Sequence, residues 1–305
     1  MINKVFALLI FLMTQLSFSQ AIDVNPIGAP ESSHTISELI NGTLTDPCSS
    51  GTNITYRYCN DVSNSGVKSY GYFKAPTGSN FPFEEGIILT TGRAHQAGNA
   101  EIISGISNDN MLPGDADLEA ALTELGVVPD TQDATFIKFT FVPIADTISF
   151  RFLMASEEYD MGTFECDFSD AFAFLLTGSD GNVSNLAVIP GSMEPILVTN
   201  IHPDNGSCGA VNERHFGAYT PTNGPPIAFD GRTAKFLAES TVIPGETYTI
   251  KLVIGDDRDN LFDSGVFIEG GSFNLGGDLG DDVTIAAGTA QCGGSEVVLD
   301  TRVEL

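Results

Sequence analysis

Apolar and polar residues alternate with a period of two along several stretches of this chain, a pattern that leaves little besides β-structure open. Ile148, Phe150, Phe152 and Met154 share one side of a predicted strand, with Ser149 and Arg151 on the other. Ile137, Phe139 and Phe141 oppose Lys138 and Thr140, and Tyr248, Ile250, Leu252 and Ile254 oppose Thr247, Thr249 and Lys251. Successive side chains of a strand point to opposite faces, so each pattern predicts one buried face and one wetter face. The run holding Phe172, Phe174 and Leu176 is apolar on both sides, which predicts a central strand. Turn-forming runs such as Thr177 to Asn182 and Pro244-Gly245 separate these segments. The expected fold is therefore all-β, a β-sandwich or jelly roll. One short helix is predicted, because Leu118, Ala121, Leu122 and Leu125 recur at helical spacing between a capping Asp115 and a terminating Gly126. It is expected to plug one end of the sandwich.

The two ends of the chain read differently from its middle. Lys4, the apolar run Val5 to Leu12 and the small Ser17 and Ser19 predict a signal peptide over residues 1–19, cleaved before Gln20. That run is too short to span a bilayer and no later window is apolar enough, so a secreted or cell-surface protein without a transmembrane segment is expected. Residues 20–275 then form one large β domain. Residues 276–305 open on a glycine- and aspartate-rich linker and continue with Val283 to Ile285 and Val297 to Leu299, the expected start of a second, immunoglobulin-like module cut off at Leu305. Five cysteines in an exported chain read as disulfides. Cys48 and Cys59 suit a hairpin staple, Cys166 and Cys208 would tie two loops, and Cys292 is left for a partner beyond Leu305. Spacing alone does not fix that connectivity.

Aspartate and glutamate outnumber lysine and arginine 40 to 13, for a formal charge of −27. Such a surface repels nucleic acid and anionic membranes, and it concentrates divalent cations. Acidity also keeps a secreted protein soluble, so the placement of the carboxylates matters more than their number. Two groups stand at predicted strand ends. Glu157, Glu158 and Asp160 follow the strand ending near Met154, with Asp167 and Asp170 before the next strand; Asp256, Asp257 and Asp259 follow Gly255, with Asp263 ahead of Val266. Asp, Asn and Gly also crowd turns for backbone reasons, but adjacent glutamates have no such role. Calcium takes six to eight oxygen ligands in tolerant geometry, and Glu157, Glu158, Asp170, Asp256, Asp259 and Asp263 are the candidate ligands.

Other chemistries fit less well. Glu157 or Glu158 with Asp170 is the candidate acid/base pair for a glycoside hydrolase. A lectin-like module would fix a sugar through calcium and stack it on Tyr159 or Phe262, since the chain has no tryptophan. The four histidines, His34, His95, His202 and His215, lack zinc-site spacing, and no nucleophile elbow is present. Asp117 reads as a first-turn helix acid. Asn41, Asn53, Asn182 and Asn205 begin Asn-X-Ser/Thr triplets, which matter only in a glycosylating host.

Five motifs occur in order: Glu85 to Gly92, Gly114 to Leu118, Ala155 to Tyr159, Phe168 to Leu175, and Asp263 to Glu269. Together they resemble the choice-of-anchor L domain of exported bacterial proteins, over roughly residues 35–275. The resemblance implies a module followed by varied surface anchors, including the type IX secretion signal of Bacteroidetes, and it implies no defined molecular activity. The stretch from Asp170 to Phe174 also has a distant likeness to legume-type lectins. The expectation is a non-enzymatic, calcium-stabilised, adhesive or structural module. Its expected partner is an extracellular polymer, a glycan or a neighbouring cell-surface protein.

Overall fold

The computed structural model describes residues 21–26, 28–45, 51–58, 60–61, 67–98, 105–220 and 226–275. The strands in chain order are β1 (Asp23–Val24), β2 (Thr52–Arg57), β3 (Asn60–Asp61), β4 (Val67–Lys68), β5 (Tyr70–Lys74), β6 (Glu85–Thr90) and β7 (Thr131–Phe141). They continue with β8 (Thr147–Ser156), β9 (Ala171–Thr177), β10 (Val183–Asn185), β11 (Phe216–Tyr219), β12 (Gly231–Thr233), β13 (Phe236–Thr241), β14 (Tyr248–Asp257) and β15 (Ser264–Glu269). Every alternating stretch named above lies in one of them.

Two antiparallel sheets make the sandwich. The first runs β1-β5-β6-β15-β8-β12-β11, with β13 also on β8; the second runs β10-β9-β14-β7-β2. β8 is the hub of the first sheet. Its start pairs with β13 and its end with β12, while β15 runs along its other edge from Ser264↔Ser156 to Ile268↔Phe152. The inward residues of both sheets, among them Phe139, Phe152, Phe174, Leu252 and Ile268, form one buried cluster. Phe152 of β8 meets Phe174 of β9 edge to face, with ring centroids 4.7 Å apart, across the gap between the sheets.

The outer faces are covered too, which explains why several strands are apolar on both sides. Leu153, Ala155 and Phe267 on the outer face of the first sheet pack under Ile22, Phe81, Phe83, Ile106 and Phe229. On the second sheet, Ala171, Ala173, Leu175 and Val253 are covered by Leu118 and Leu122 of the helix Ala116–Glu124. The helix therefore lies flat on a sheet face and does not plug an end of the sandwich. β9 explains the difference: its outward residues are apolar and need a cover that an end plug would not give. The helix ends are as expected. The Asp115 carboxylate accepts from the Leu118 N–H at 3.2 Å, and Gly126 adopts a left-handed φ of +89°.

Under that helix Lys251, an outward residue of β14, is buried together with Asp115. Its ammonium donates to Asp115 at 2.6 Å and to Asp117 at 2.8 Å, and Arg57 donates to Asp115 at 3.3 Å. Asp117 is thus an ion-pair partner in addition to a first-turn acid, and the Lys251 contact holds its carboxyl below the usual range.

Cys166 and Cys208 are bridged, closing a loop of sequence separation 42. In chain-entropy terms a loop that long stabilises by about 4 kcal/mol. Cys48, Cys59 and Cys292 lie outside the described residues, as do the predicted signal peptide and the second module. Among the described residues no helix is long and apolar enough to cross a membrane.

Candidate functional site

The inward alternation of four strands runs past the apolar core into carboxylates at one end of the sandwich. On β9 the inward set Leu176, Phe174 and Phe172 leads back to Asp170. On β14 Ile250, Leu252 and Ile254 lead on to Asp256, beyond a register shift between Ile254 and Asp256. On β7 Phe141, Phe139 and Ile137 lead back through Thr135 to Asp133, and on β8 Phe152 and Met154 lead through Ser156 to Glu158. All four acids are buried: Glu158 is 3% exposed, Asp170 2%, Asp133 1% and Asp256 0%. Gly255 pairs with Ala171, so the next step of that ladder sets Asp256 beside Asp170.

Burial alone does not make a carboxylate unusual; lack of donors does. Asp133 is satisfied, because Asn110 N–H and Leu112 N–H donate to it at 2.8 and 2.7 Å. Asp263 is satisfied as well, taking the Asn108 N–H at 2.8 Å and its side-chain amide at 2.5 Å. Glu158 accepts from the Ser264 hydroxyl at 3.3 Å, and one oxygen of Asp170 accepts from the Asp257 N–H at 3.2 Å. The other Asp170 oxygen and both oxygens of Asp256 are buried with no donor in full hydrogen-bond geometry. The Thr91 side chain lies beside Asp256, and a protonated Asp256 is placed to donate to Asp170. An unpaired buried carboxylate is strongly unfavourable, so it holds its proton unless a cation replaces the missing donors.

The titration behaviour follows from this geometry. Desolvation pushes the Asp256 carboxyl up to about 11, with the neighbouring Asp170 adding to the shift. Desolvation raises Glu158 and Asp170 well above the carboxylate range, with the charge of Asp170 adding to the shift of Glu158 and that of Asp263 to the shift of Asp170. Asp263, with its two donors from Asn108, is raised by desolvation only to about 6.

Glu157 does not join this group. Adjacent residues of a strand face opposite ways, and Glu157 follows Leu153 and Ala155 onto the outer face of the first sheet. Ser156 pairs with Ser264 and with Gly231, so the next step places Glu157 between Asp263 and Asp230. Its N–H donates to the Asp263 carbonyl at 3.2 Å. Its carboxylate oxygens are buried with no donor in full hydrogen-bond geometry. Desolvation followed by the charge of Asp230 pushes its pKa up to about 8, against the backbone N–H groups of Ile106 and Gly105, which lower it. Asp259 is separate again, exposed on the loop after β14, where it accepts from the Leu261 N–H at 2.9 Å. Of the six predicted ligands, then, Glu158, Asp170 and Asp256 share one buried end, Asp263 stands at its edge, Asp259 lies on the loop outside and Glu157 faces the other way.

Asp133, Asp230 and Asn108 were not singled out from the sequence. Asp133 was within reach of it, as the inward-facing continuation of β7. Gly92 was not. A Cβ there would stand 1.6 Å from the Asp263 carboxylate, so only glycine allows that approach. Among the described residues no three His, Cys, Asp or Glu side chains stand close enough about one point to hold a metal ion as they are.

Tyr159 is only 1% exposed, and its hydroxyl donates to the Ile201 carbonyl at 2.9 Å. It cannot serve as a sugar platform, because as a core residue it has no free ring face. Phe262 is half-buried, with its ring centroid 5.1 Å from that of Phe164. Asn205 spends its amide on the Gly162 carbonyl and the buried Glu165.

No curated protein matches the chain. A solved structure, the β-glucosidase of Kluyveromyces marxianus in complex with glucose, aligns at 12% identity over 76% of this chain and 18% of that one, with a TM-score of 0.18. That is no shared fold, and it bears on neither activity nor substrate. The profile of the choice-of-anchor L domain matches residues 24–274, a span that holds both sheets, the acidic end and all five motifs, and the chain belongs to that family.

Proposed function

We propose that the chain is a non-enzymatic extracellular module, adhesive or structural in role, whose acidic sandwich end is locked by calcium. Glu158, Asp170 and Asp256 would be the principal ligands, with Asp263 at the edge. The observation that supports this best is the burial of Asp256 and Asp170 side by side at the end of the inter-sheet core, with too few donors in full geometry to satisfy their oxygens. Carboxylate oxygens are hard donors suited to calcium. A cation there would let these groups ionise and would tie the two sheets together, Glu158 from one and Asp170 and Asp256 from the other. The side chains would have to close in on the ion by rotamer changes. A glycan-binding version of the module would have to manage without Tyr159.

Calorimetric titration of the chelator-stripped chain with calcium tests the reading. Saturable binding with release of protons is expected, because the acids bind the metal only when deprotonated. Heat indistinguishable from dilution would remove calcium from the account.

A further inference from the structure

Directly outside the acidic end, three phenylalanines stand at the surface. Phe164 and Phe168 are 39% and 38% exposed, and Phe262 is half-buried beside them. Phe164 lies 5.1 Å from Phe262 and 5.9 Å from Phe168, ring centroid to ring centroid, with both pairs tilted by 54°. Phe262 reaches its place with a φ of +61°, a conformation that bulky residues rarely adopt. The rings line a crater of about 60 Å³, and its polar lining consists of Glu158, Asp257 and Asp259. Phe168 and Asp257 also line an adjoining groove of about 310 Å³, whose other walls include Val127, Pro129 and Leu197.

We infer that this crater docks a lysine or arginine side chain presented by a partner protein, with the adjoining groove taking the segment beside it. Tilted rings make walls around a small group, whereas a sugar face needs a flat platform. The exposed Asp259 carboxylate accepts hydrogen bonds, so the occupant should donate one, and a cation over aromatic faces is further held by their quadrupoles. Arg258, which lines the adjoining groove, stands 3.7 Å from Asp257 and is largely exposed, and it has no ion pair with Asp259. The inference gives a partner class to the extracellular role proposed above; the crater shares Glu158 with the proposed calcium site, so the docking reading rests on Asp259 and the rings.

The test is an NMR titration of the whole chain with a short glycine peptide carrying one lysine, against the same peptide with norleucine in its place. The pair shares a four-carbon side chain and differs by the terminal ammonium. With calcium present, the lysine peptide should bind at least about fivefold more tightly. Phe164→Ala and Asp259→Asn should each reduce that preference by threefold or more, at unchanged melting temperature. Equal binding of the two peptides would overturn the inference. So would a preference that survives both substitutions, since attraction to a surface of charge −27 would then explain it. Calcium-dependent melting read on the same samples reports on the metal separately, so either result can fail alone.

Discussion

Asp256 carries a heavy electrostatic demand, because it is fully buried and neither oxygen has a donor in full hydrogen-bond geometry. A few residues away Asp263, equally buried, meets Asn108 twice and is shifted far less. The contrast between neighbours locates the site better than the count of acids does. Glu157 gives a separate test. Its folded-state pKa of about 8 lies above the ordinary 4.5, so the folded chain holds a proton there that the unfolded chain releases. Stability from this group is therefore full below about pH 4.5 and falls as pH rises towards 8. In chelator, the wild type's stability to denaturant should drop across that window, Glu158, Asp170 and Asp256 adding to the fall in the same direction because their carboxyls are raised too. Glu157→Gln should make the drop shallower. An equally steep profile in the variant would place the titration elsewhere. Gly92→Ala forces a methyl group into the Asp263 carboxylate and should destabilise by about 1–3 kcal/mol, measured by chemical denaturation. A change within experimental error would show that Asp263 can move aside freely.

At the scale of elements, strand period carried most of what was legible. Alternation marked β7, β8, β9 and β14, and the caps Asp115 and Gly126 marked the helix within a residue or so of its ends. The same period, continued past the apolar residues, also carries the site: Asp170, Asp256, Asp133 and Glu158 are inward positions of their strands. Treating Glu157 and Glu158 as one ligand pair overlooked that neighbouring strand residues face apart. What periodicity could not supply was layering. Whether a doubly apolar strand is covered by a helix, a loop or another sheet depends on contacts distant in sequence, so the helix was expected at an end and lies on a face. Leu122→Ala should test that placement, since Leu122 fills the space over Ala173 and Leu175. A loss of about 2–5 kcal/mol is expected, against almost none if the helix were a detachable plug.

Over the whole molecule, charge and packing divide the work between the two ends of the sandwich. Phe139, Phe141 and Phe273 close one region of the inter-sheet core with apolar rings in mutual contact. The opposite end substitutes carboxylates for such rings, in a chain already carrying −27. A sandwich built this way should be weakest where the acids meet and should respond most strongly to a cation there. The measurement that bears on this most directly is the melting temperature of wild type and Asp256→Asn, each in chelator and in millimolar calcium. In chelator the variant should melt higher, because the folded wild type must keep a proton on Asp256 that the unfolded chain releases at neutral pH. In calcium the wild type should rise by several degrees and the variant should rise much less, the difference between the two shifts growing with free calcium as mass action requires. An equal rise in both proteins, or no rise in either, would contradict a calcium lock at Asp256.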